Sequence, residues 1–386
     1  MQTLSSRVTQ KFQEIFSSQA ALLVRSPGRV NLIGEHTDYN NGFVLPAAVD
    51  KAIYMAVERR RDDDVQLFAM DLDQSYRGSL RPPLTQSALH WPNYILGIVG
   101  QLRNLGLTVG GFNCVFAGDI PLGAGMSSSA ALENAIIFSL NQLFGLGLDP
   151  MTMVRLSQKA ENEFVGLQCG IMDMFASMFG RKDQVIRLDC QSLEYTYFPF
   201  RTEGLRLLLL DTQVEHSLAS SEYNVRRQQC EAGVKLVQRQ HPSVRSLRDV
   251  SLEMLNTLVA PADELIYRRC SFVVEENARV VAGTEDLQRG DLAAFGRKMY
   301  ASHEGLSRKY EVSCVESDWL VDQLRDAGGV LGARQMGGGF GGCTINLVQA
   351  DTIEALVERI APLYRKAMNR ELKWYIGQIE NGTSVV

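Results

Sequence analysis

The sequence lacks the features that mark several large classes of protein. No apolar run reaches the roughly 18 residues that suggest a membrane span, and residues 1–18 lack the apolar centre of a secretory signal. The seven cysteines are odd in number and show no CxxC or other metal-type spacing. This pattern favours reduced thiols in a cytoplasmic protein. We therefore expect a cytoplasmic location, no disulfide framework and no membrane partner.

The chain also has little excess charge of either sign. Its 39 lysines and arginines against 44 aspartates and glutamates give a net charge of −5, and no large basic block occurs. This argues against nucleic acid as the main partner. A small anionic ligand is still compatible with this composition, because a locally positive site does not require a net positive charge on the whole chain. Nothing in the sequence indicates a protein partner.

What is present is a mixture of strand and helix patterns, so we predict an α+β fold. A strand at residues 22–25 is expected to lead into a loop at residues 26–28, and an apolar helix is expected at residues 130–143. The 386 residues suggest two domains at roughly 100–200 residues each. The pattern changes near residue 200, so we predict an N-terminal domain of residues 1–200 and a C-terminal α+β domain of residues 201–386. We expect a ligand site in the cleft between them.

The segment Pro121–Ala130 is rich in glycine and serine. Its glycines let the backbone approach a ligand closely, and three serines follow at the start of a predicted helix. A helix N-terminus offers unpaired N–H groups that suit phosphate, and a serine hydroxyl there suits Mg²⁺. No Walker A pattern or protein-kinase signature occurs. The segment fits either a phosphate-binding loop or a well-capped helix after a glycine turn.

A second glycine-rich segment, Gly337–Gly342, fits the pattern GxGxxG. A dinucleotide-binding interpretation fails because a predicted strand at residues 344–348 follows the glycines, where a helix should carry the pyrophosphate. A flexible loop that closes over a phosphate or over the active site is the better interpretation, and a hairpin turn is the alternative.

The segment Ser26–Gly42 places Arg29, Glu35, His36 and Asp38 between apolar stretches. Polar groups at this density in a loop suit a hydroxyl-rich ligand. Carboxylates accept hydrogen bonds from sugar hydroxyls, and an arginine can stabilise negative charge. A solvated loop is the alternative, and the metal-binding pattern HExxH is absent.

Two acidic residues stand out in residues 161–173. Asp173 lies among apolar and small residues, so its carboxylate is expected to be either paired or functional. Glu161 lies near the end of a predicted helix, where it could face a metal ion. Spacing alone proves neither role.

Together these segments closely resemble the motifs of galactokinases in the GHMP kinase superfamily. Pro27–Tyr39 is similar to the galactokinase signature, Pro121–Ala130 to the superfamily's phosphate-binding loop, and Met336–Gly342 to its third motif. Gly170–Asp173 and Ser220–Arg227 also match galactokinase patterns. The resemblance runs from about residue 20 to about residue 380.

The resemblance implies a two-domain GHMP kinase fold, with the active site between the domains, and ATP-dependent phosphorylation of the C1 hydroxyl of D-galactose. Asp173 is implied to take the proton from that hydroxyl or to orient it, and Arg29 to stabilise the ionised alcohol and the γ-phosphoryl group. The sugar is implied to be held by Glu35, His36, Asp38, Gly170, Asp173 and Tyr223. Mg²⁺ is implied to be held by Ser128 or Ser129 and by Glu161. ATP is implied to contact Trp91 and Tyr94 beside the adenine, and Pro121, Gly123, Ala124, Gly125, Met126, Ser127, Ser128, Ser129 and Ala130 in the loop.

The chain departs from the family pattern at Met126, where leucine is common, and at Met174, where glutamine is usual. The second departure replaces a polar neighbour of Asp173 with an apolar one and puts the substrate range in doubt. A kinase for N-acetylgalactosamine or L-arabinose is therefore one alternative. A sugar sensor without catalysis is another, although it would not need Asp173, Arg29 or the serine loop. A mevalonate-type kinase would leave the polar set of residues 35–38 unexplained.

Overall fold

The computed structural model describes residues 2–81, 83–121, 123–200, 204–214 and 219–386. Its strands are β1 (Leu22–Asn31), β2 (Phe43–Val44), β3 (Pro46–Arg59), β4 (Asp64–Ala69), β5 (Gln74–Ser79), β6 (Phe112–Gly118), β7 (Gln184–Asp189), β8 (Tyr195–Pro199), β9 (Leu205–Asp211), β10 (Val330–Gln335), β11 (Cys343–Gln349), β12 (Lys373–Gly377) and β13 (Ser384–Val385). Its α-helices are α1 (Leu4–Phe16), α2 (Pro92–Asn104), α3 (Ser128–Phe144), α4 (Pro150–Ala160), α5 (Met172–Phe179), α6 (Ala219–Gln238), α7 (Leu252–Met254), α8 (Glu264–Arg289), α9 (Leu292–Glu304), α10 (Val315–Arg325) and α11 (Ile353–Met368).

A mixed sheet with the order β13-β1-β3-β6-β4-β5 forms the base of the first half. Only the β4–β6 pairing is parallel among its described strands. Alternate residues of β6 point to opposite faces. Val115 and Ala117 pack against Val8 and Phe12 of α1, whereas Phe116 joins the main core on the other face. Helices α3 and α5 contact β1 and β3, so the residues at their first turns lie close to β1.

The strand β1 continues through the segment that was predicted to be a loop, so that prediction was wrong. The pairing of β1 with β3 changes register between Pro27 and Arg29. On its other side β1 pairs with β13 only at Val24 and Arg25. None of the described strands pairs with this side of β1 beyond Arg25, so a proline without an N–H is tolerated there. The extension carries Arg29 onto the strand itself.

A second, antiparallel sheet with the order β10-β11-β9-β12 lies in the other half. Residues 207–210 of the inner strand β9 are a continuous apolar run because both faces of the strand are buried there. Leu207 and Leu209 join the main core, whereas Leu208 and Leu210 pack on the opposite face against α10 and α11. A small sheet of the described strands β2, β7 and β8 completes the fold.

The predicted α+β class is confirmed by this mixture of sheets and helices. The predicted division near residue 200 falls beside residues 201–203, which lie outside the described residues, and it stays a prediction. Strand β13, at the end of the chain, pairs with β1 in the first sheet. All seven cysteines are free. No helix in the described part of the chain is long and apolar enough to cross a membrane.

Candidate active site

The four polar segments identified in the sequence meet around one cavity of about 410 Å³. The predicted site residues that line it are Arg29, Glu35, His36, Asp38, Pro121, Gly123, Gly125, Met126, Ser127, Ser128, Ser129, Gly170, Asp173 and Tyr223. Gly337, Gly338 and Gly339 of the second glycine-rich segment line it as well. Residues that lie far apart in the sequence therefore share one cavity, which a set of independent solvated loops would not produce.

Arg29 and Asp173 form a bidentate ion pair at the wall of this cavity. Arg29 Nε donates to Asp173 Oδ1 at 2.7 Å, and Nη2 donates to Oδ2 at 2.8 Å. Arg29 Nη1 donates to the carbonyl of Gly125, so the same guanidinium also holds the serine-rich loop. The Arg29 side chain is 5% exposed and that of Asp173 is 27% exposed. Burial alone would lower the pKa of Arg29, but the charges of Asp173 and Glu35 outweigh it and raise the pKa.

The serine that precedes helix α3 does not cap it with its side chain. Ser127 is the N-cap residue, but its hydroxyl donates to Asp173 Oδ2 and makes no capping bond. Its backbone has a φ of 56°, in the left-handed region. Such a conformation costs about 1–3 kcal/mol in a residue other than glycine and is typical of functional sites. Of the two interpretations of this segment, side-chain capping by Ser127 is therefore not observed, and its hydroxyl serves the Arg29–Asp173 pair.

Glu35 links the signature segment to the third motif. Its Oε1 accepts a hydrogen bond from Arg334 Nη2 at 2.5 Å and from the backbone N–H of Gly337 at 2.7 Å. Arg334 is completely buried and also donates to the carbonyls of Asn31 and Leu32. Because one carboxylate oxygen is engaged in these contacts, only the other is free to face the cavity.

Asp38 and Gly170 approach each other more closely than any other residue type at position 170 would allow. A Cβ atom at Gly170 would lie 1.9 Å from Asp38 Oδ2. Asp38 is buried, and its Oδ1 accepts the N–H of Tyr39 at 2.9 Å. Burial, followed by the charge of Asp173, raises the pKa of Asp38 to about 7. Without a bound ligand, the Asp38 carboxyl group is therefore about half deprotonated at neutral pH.

His36 is held in an aromatic cluster. Its ring lies 5.2 Å from that of Tyr223 and 4.8 Å from that of Tyr310, measured between centroids. Its Nδ1 lies 2.8 Å from the hydroxyl of Tyr39. Burial, followed by the positive charge of Arg226, lowers the pKa of His36 to about 3. The imidazole is therefore neutral at physiological pH.

Glu161 lies behind the cavity lining, in a π-helical segment that extends α4. Its Oε2 accepts the thiol of Cys169, which lines the cavity, at 3.2 Å. Burial raises the pKa of Glu161 to about 7, and Asp173 adds to this effect, whereas the Cys169 thiol and the Ser129 hydroxyl oppose it. The structure thus brings Ser129 and Glu161 together, as the resemblance implied.

The two glycine-rich segments lie backbone to backbone. A Cβ atom at Gly337 would lie 3.3 Å from the carbonyl oxygen of Gly125, and one at Gly342 would lie 3.3 Å from that of Gly123. Gly337, Gly339, Gly341 and Gly342 all have positive φ. Side chains in this stretch would separate the two segments or strain the backbone. The third motif is therefore a second wall of the cavity.

Five predicted residues do not line the cavity. Ala124 and Ala130 are fully buried behind the loop, and Glu161 lies behind Cys169. Trp91 is buried against Phe116, and its Nε1 donates to Gln74. Tyr94 is half-buried. Burial raises its pKa, and the charges of Glu161 and Glu133 add to the increase. The adenine-bordering role of Trp91 and Tyr94 stays a prediction.

Four residues that support the site were missed in the sequence. Arg334, Glu276 and Tyr310 come from the C-terminal half, and Glu133 lies one turn after Ser129 on the same face of α3. Glu276 is fully buried and accepts the N–H of Gly34 at 2.8 Å. Both carboxylate oxygens of Glu133 are buried without a hydrogen-bond partner among the described residues. Burial and the charge of Glu161 raise its pKa well above the usual range. For Glu133 the four-residue spacing from Ser129 was an available signal.

Met174 does not face the cavity. Its side chain is fully buried in the main core, and its carbonyl accepts the amide of Asn134 at 2.8 Å. The departure from the family's glutamine therefore changes the packing behind Asp173 and not the lining of the cavity.

Comparisons with known proteins identify the family of the chain. The galactokinase galactose-binding signature matches residues 10–59, the GHMP kinases N terminal domain matches residues 93–181, and the GHMP kinases C terminal domain matches residues 284–379. A galactokinase of Roseiflexus sp. is 39% identical over 382 residues, which is 99% of this chain and 97% of the relative. One of Thermotoga maritima is 38% identical over 362 residues, 94% of this chain and 99% of the relative.

The crystal structure of Lactococcus lactis galactokinase complexed with galactose matches with a TM-score of 0.95, 33% identity and full coverage of both chains. The mevalonate kinase of Methanococcus jannaschii matches with a TM-score of 0.65, 17% identity and coverage of 93% of this chain and 98% of that one, which supports the fold alone. Fold and site thus define a GHMP kinase, a class that uses ATP. Within that class, the chain belongs to the galactokinase family.

Proposed function

We propose that this protein transfers the γ-phosphoryl group of ATP to the C1 hydroxyl of D-galactose. The observation that carries the proposal is the bidentate Arg29–Asp173 pair, which lies in the same cavity as the signature residues and the serine-rich loop. The galactose complex of the L. lactis relative supports the choice of sugar. The free cysteines suit a reducing compartment, so we place the enzyme in the cytoplasm.

Phosphoryl transfer depends on positioning and on the stabilisation of charge. Arg29, buried and held on β1, would stabilise the ionised alcohol and the phosphoryl group in transit. Asp173 would accept the hydrogen bond of the C1 hydroxyl and orient its oxygen. Arg29 donates to both carboxylate oxygens, so it fixes the orientation of the Asp173 carboxylate. Orientation of the hydroxyl is therefore the main role that we assign to Asp173.

The sugar would be held by Glu35, His36, Asp38, Gly170 and Tyr223. Glu35 has one carboxylate oxygen occupied by Arg334 and Gly337, so its other oxygen is available to sugar hydroxyls. Asp38 lines the cavity, and its Oδ1 accepts the N–H of Tyr39. Gly170 has no side chain, so the Asp38 carboxylate packs directly against its backbone. Tyr223 packs beside His36 and lines the cavity.

The residues near Ser129 fit a magnesium ion. Mg²⁺ prefers oxygen donors and is usually bound by one or two carboxylates together with substrate phosphates. A hydroxyl from Ser128 or Ser129 and the carboxylate of Glu161 provide such a partial set. No group of three or more acidic, histidine or cysteine ligands occurs among the described residues. When bound, Mg²⁺ would neutralise charge on the ATP phosphates.

Replacement of the proposed serine ligand tests the magnesium assignment. We expect Ser129→Ala to raise the KM for Mg·ATP about tenfold, with little change in galactose binding, because a lost ligand or supporting contact weakens metal sites by roughly 10–100-fold. Initial rates over a range of Mg²⁺ and ATP concentrations would measure this. Ser128→Ala tests the alternative ligand, and a larger effect in that variant would assign the hydroxyl to Ser128. An unchanged dependence on Mg·ATP in Ser129→Ala would remove that serine as a ligand.

The raised pKa of Asp38 predicts a pH-dependent KM for galactose. Because the free carboxyl group keeps its proton up to about pH 7, the form that accepts sugar hydroxyls is depleted at lower pH. The KM for galactose at saturating Mg·ATP should therefore be about tenfold higher at pH 6 than at pH 8. Asp38→Asn should have a higher KM that no longer depends on pH. A wild-type KM that is constant or rises with pH would contradict this role.

The regiochemistry is tested directly on the product. After incubation with Mg·ATP and D-galactose, ¹H and ³¹P NMR should show phosphate attached to C1 only. Phosphate on any other carbon would contradict the placement of the C1 hydroxyl at Asp173.

A further inference from the structure

The signature segment turns back on itself between Gly34 and Phe43, and we call residues 34–43 the signature loop. The Thr37 hydroxyl closes this loop from inside, since it donates to the Phe43 carbonyl at 2.6 Å and lies 2.9 Å from the Gly34 carbonyl oxygen. Three residues of the loop line the cavity, namely Glu35, His36 and Asp38. The position of the loop therefore decides where these three side chains lie in the cavity.

Two consecutive residues of α8 hold the ends of the signature loop. Glu276 Oε1 accepts the backbone N–H of Gly34 at 2.8 Å, and Asn277 Oδ1 accepts that of Phe43 at 2.9 Å. Neighbouring side chains of a helix point about 100° apart, so the two acceptors reach separate N–H groups. Glu276 is 0% exposed and Asn277 is 8% exposed. Loss of either acceptor would leave a backbone N–H without its partner, which is costly in a buried place.

Glycine at each end lets the signature loop approach α8 closely. A Cβ atom at Gly42 would lie 2.2 Å from Asn277 Oδ1, and one at Gly34 would lie 2.9 Å from Val280 Cγ2. Gly34 also has a φ of 96°, which favours glycine. Both ends of the loop therefore pack directly on this helix.

The acceptor at the first end is itself fixed by further partners. Glu276 Oε1 also accepts the Ser302 hydroxyl at 2.7 Å, and Oε2 accepts a hydrogen bond from Arg279. Ser302 lies on α9. The start of the signature loop is therefore tied to two packed helices of the C-terminal half.

The other polar contacts between the signature loop and the C-terminal half involve loop side chains. Glu35 accepts hydrogen bonds from Arg334 and from the N–H of Gly337, and the Tyr39 hydroxyl lies 2.8 Å from that of Tyr310. The two α8 acceptors instead hold the loop backbone at its ends. We therefore expect their loss to displace the loop as a whole and not one side chain.

We infer that Glu276 and Asn277 position the signature loop for sugar binding, and that Asn277 sets the affinity for galactose without touching the sugar. Neither residue is among the described residues that line the cavity, so both act through the loop backbone. The inference rests on the proposed function, because it takes the sugar as the ligand of the loop. It assigns a part of α8 to sugar binding and leaves Mg·ATP binding to the serine-rich loop.

The position of the loop can be tested without substrate by hydrogen exchange and mass spectrometry. Asn277→Ala should make peptides that cover residues 34–43 exchange about fivefold faster or more, while residues 337–342 keep their wild-type rate. Asn141→Ala is the matched control. Asn141 is also 8% exposed, and its Oδ1 accepts the N–H of Leu148 at 2.9 Å, away from the cavity. This control should leave the exchange of residues 34–43 unchanged.

Binding and turnover provide the second readout. Asn277→Ala should raise the Kd for galactose about five- to tenfold, as expected for one lost hydrogen bond, and leave the KM for Mg·ATP within about twofold. Asn277→Asp keeps an acceptor oxygen and should bind galactose within about threefold of wild type. Gly42→Ala places a methyl group against the same Asn277 oxygen and should reproduce the loss of galactose affinity. The test therefore does not depend on the folding of a single variant.

The outcomes separate this inference from the proposed function. Wild-type exchange of residues 34–43 in Asn277→Ala, or equal losses of galactose and Mg·ATP affinity, would overturn the positioning role and leave the kinase assignment in place. Failure of the wild-type protein to bind galactose would contradict the proposed function. The exchange experiment would then still decide whether α8 holds the loop, because it uses no sugar.

Discussion

Asp173→Asn is expected to lower kcat by at least about a thousandfold while galactose still binds. The substitution keeps the size of the side chain, but an amide has only one acceptor oxygen for the two donors of Arg29. The group that orients the C1 hydroxyl is lost, and the charge of the buried Arg29 is no longer balanced. Steady-state rates of ADP formation would give kcat, and calorimetry would give the Kd for galactose.

The matched control for this variant is Asp286→Asn. Asp286 is buried and paired with Arg289 and Lys298, as Asp173 is paired with Arg29, but it lies on α8 and does not line the cavity. The Asp286→Asn variant should be less stable than the wild-type protein but should keep its kcat. If Asp173→Asn retained turnover within a few-fold of wild type, Asp173 would be excluded as an essential group.

The second large effect concerns stability. Arg334→Met should lower the free energy of unfolding by about 3–5 kcal/mol, because it leaves the Glu35 carboxylate buried without its arginine. It also removes the donors that satisfy the carbonyls of Asn31 and Leu32. Urea unfolding followed by tryptophan fluorescence would measure the change.

Arg365→Met is the control for this comparison. Arg365 pairs with Glu371 on the surface, where both side chains are 66% exposed. Solvent screens such a pair, so the free energy of unfolding should change by less than about 1 kcal/mol. The account of the Arg334–Glu35 contact would be wrong if the two substitutions lowered the free energy of unfolding by similar amounts. A combined Arg334→Met and Glu35→Gln variant should lose less than the sum of the two single losses.

Much of the site could be predicted from the sequence because its residues are polar groups in apolar surroundings. Arg29, Glu35, His36 and Asp38 stand together in one short segment, and the fold places all four at one cavity. The two glycine-rich segments were also informative. Glycine at this density is unfavourable unless close approach or positive φ requires it, and both conditions are met at Gly337.

Arg334 and Tyr310 could not be predicted as supporting residues, because their partners are distant in the sequence. Arg334 is separated from Glu35 by 299 residues, and Tyr310 from Tyr39 by 271. An isolated arginine on a strand or a tyrosine at the end of a helix carries no local signal of such a pairing. For Ser127 the local sequence pattern was misleading. Its local pattern is typical of an N-cap, but a carboxylate from α5 competes successfully for its hydroxyl.

The strand β1 shows a similar limit. Proline and glycine at positions 27 and 28 are typical of a loop, yet the strand continues because none of the described strands pairs with its outer side beyond Arg25. This matters for function, since the continuation fixes Arg29 against α5. The strands that pair with β1 decide whether it continues through residues 26–28. The local sequence contains no information about these partners.

The most direct test of the central claim is ADP release with Mg·ATP across D-galactose, N-acetylgalactosamine, L-arabinose, glucose and mevalonate. We predict that kcat/KM for galactose exceeds that for every other compound by at least about a hundredfold, because hydroxyls paired with buried polar groups are discriminated strongly. A preference for another sugar would contradict the substrate assignment. Absence of ADP release with all five compounds, while galactose still binds by calorimetry, would contradict catalysis itself and identify a sugar sensor.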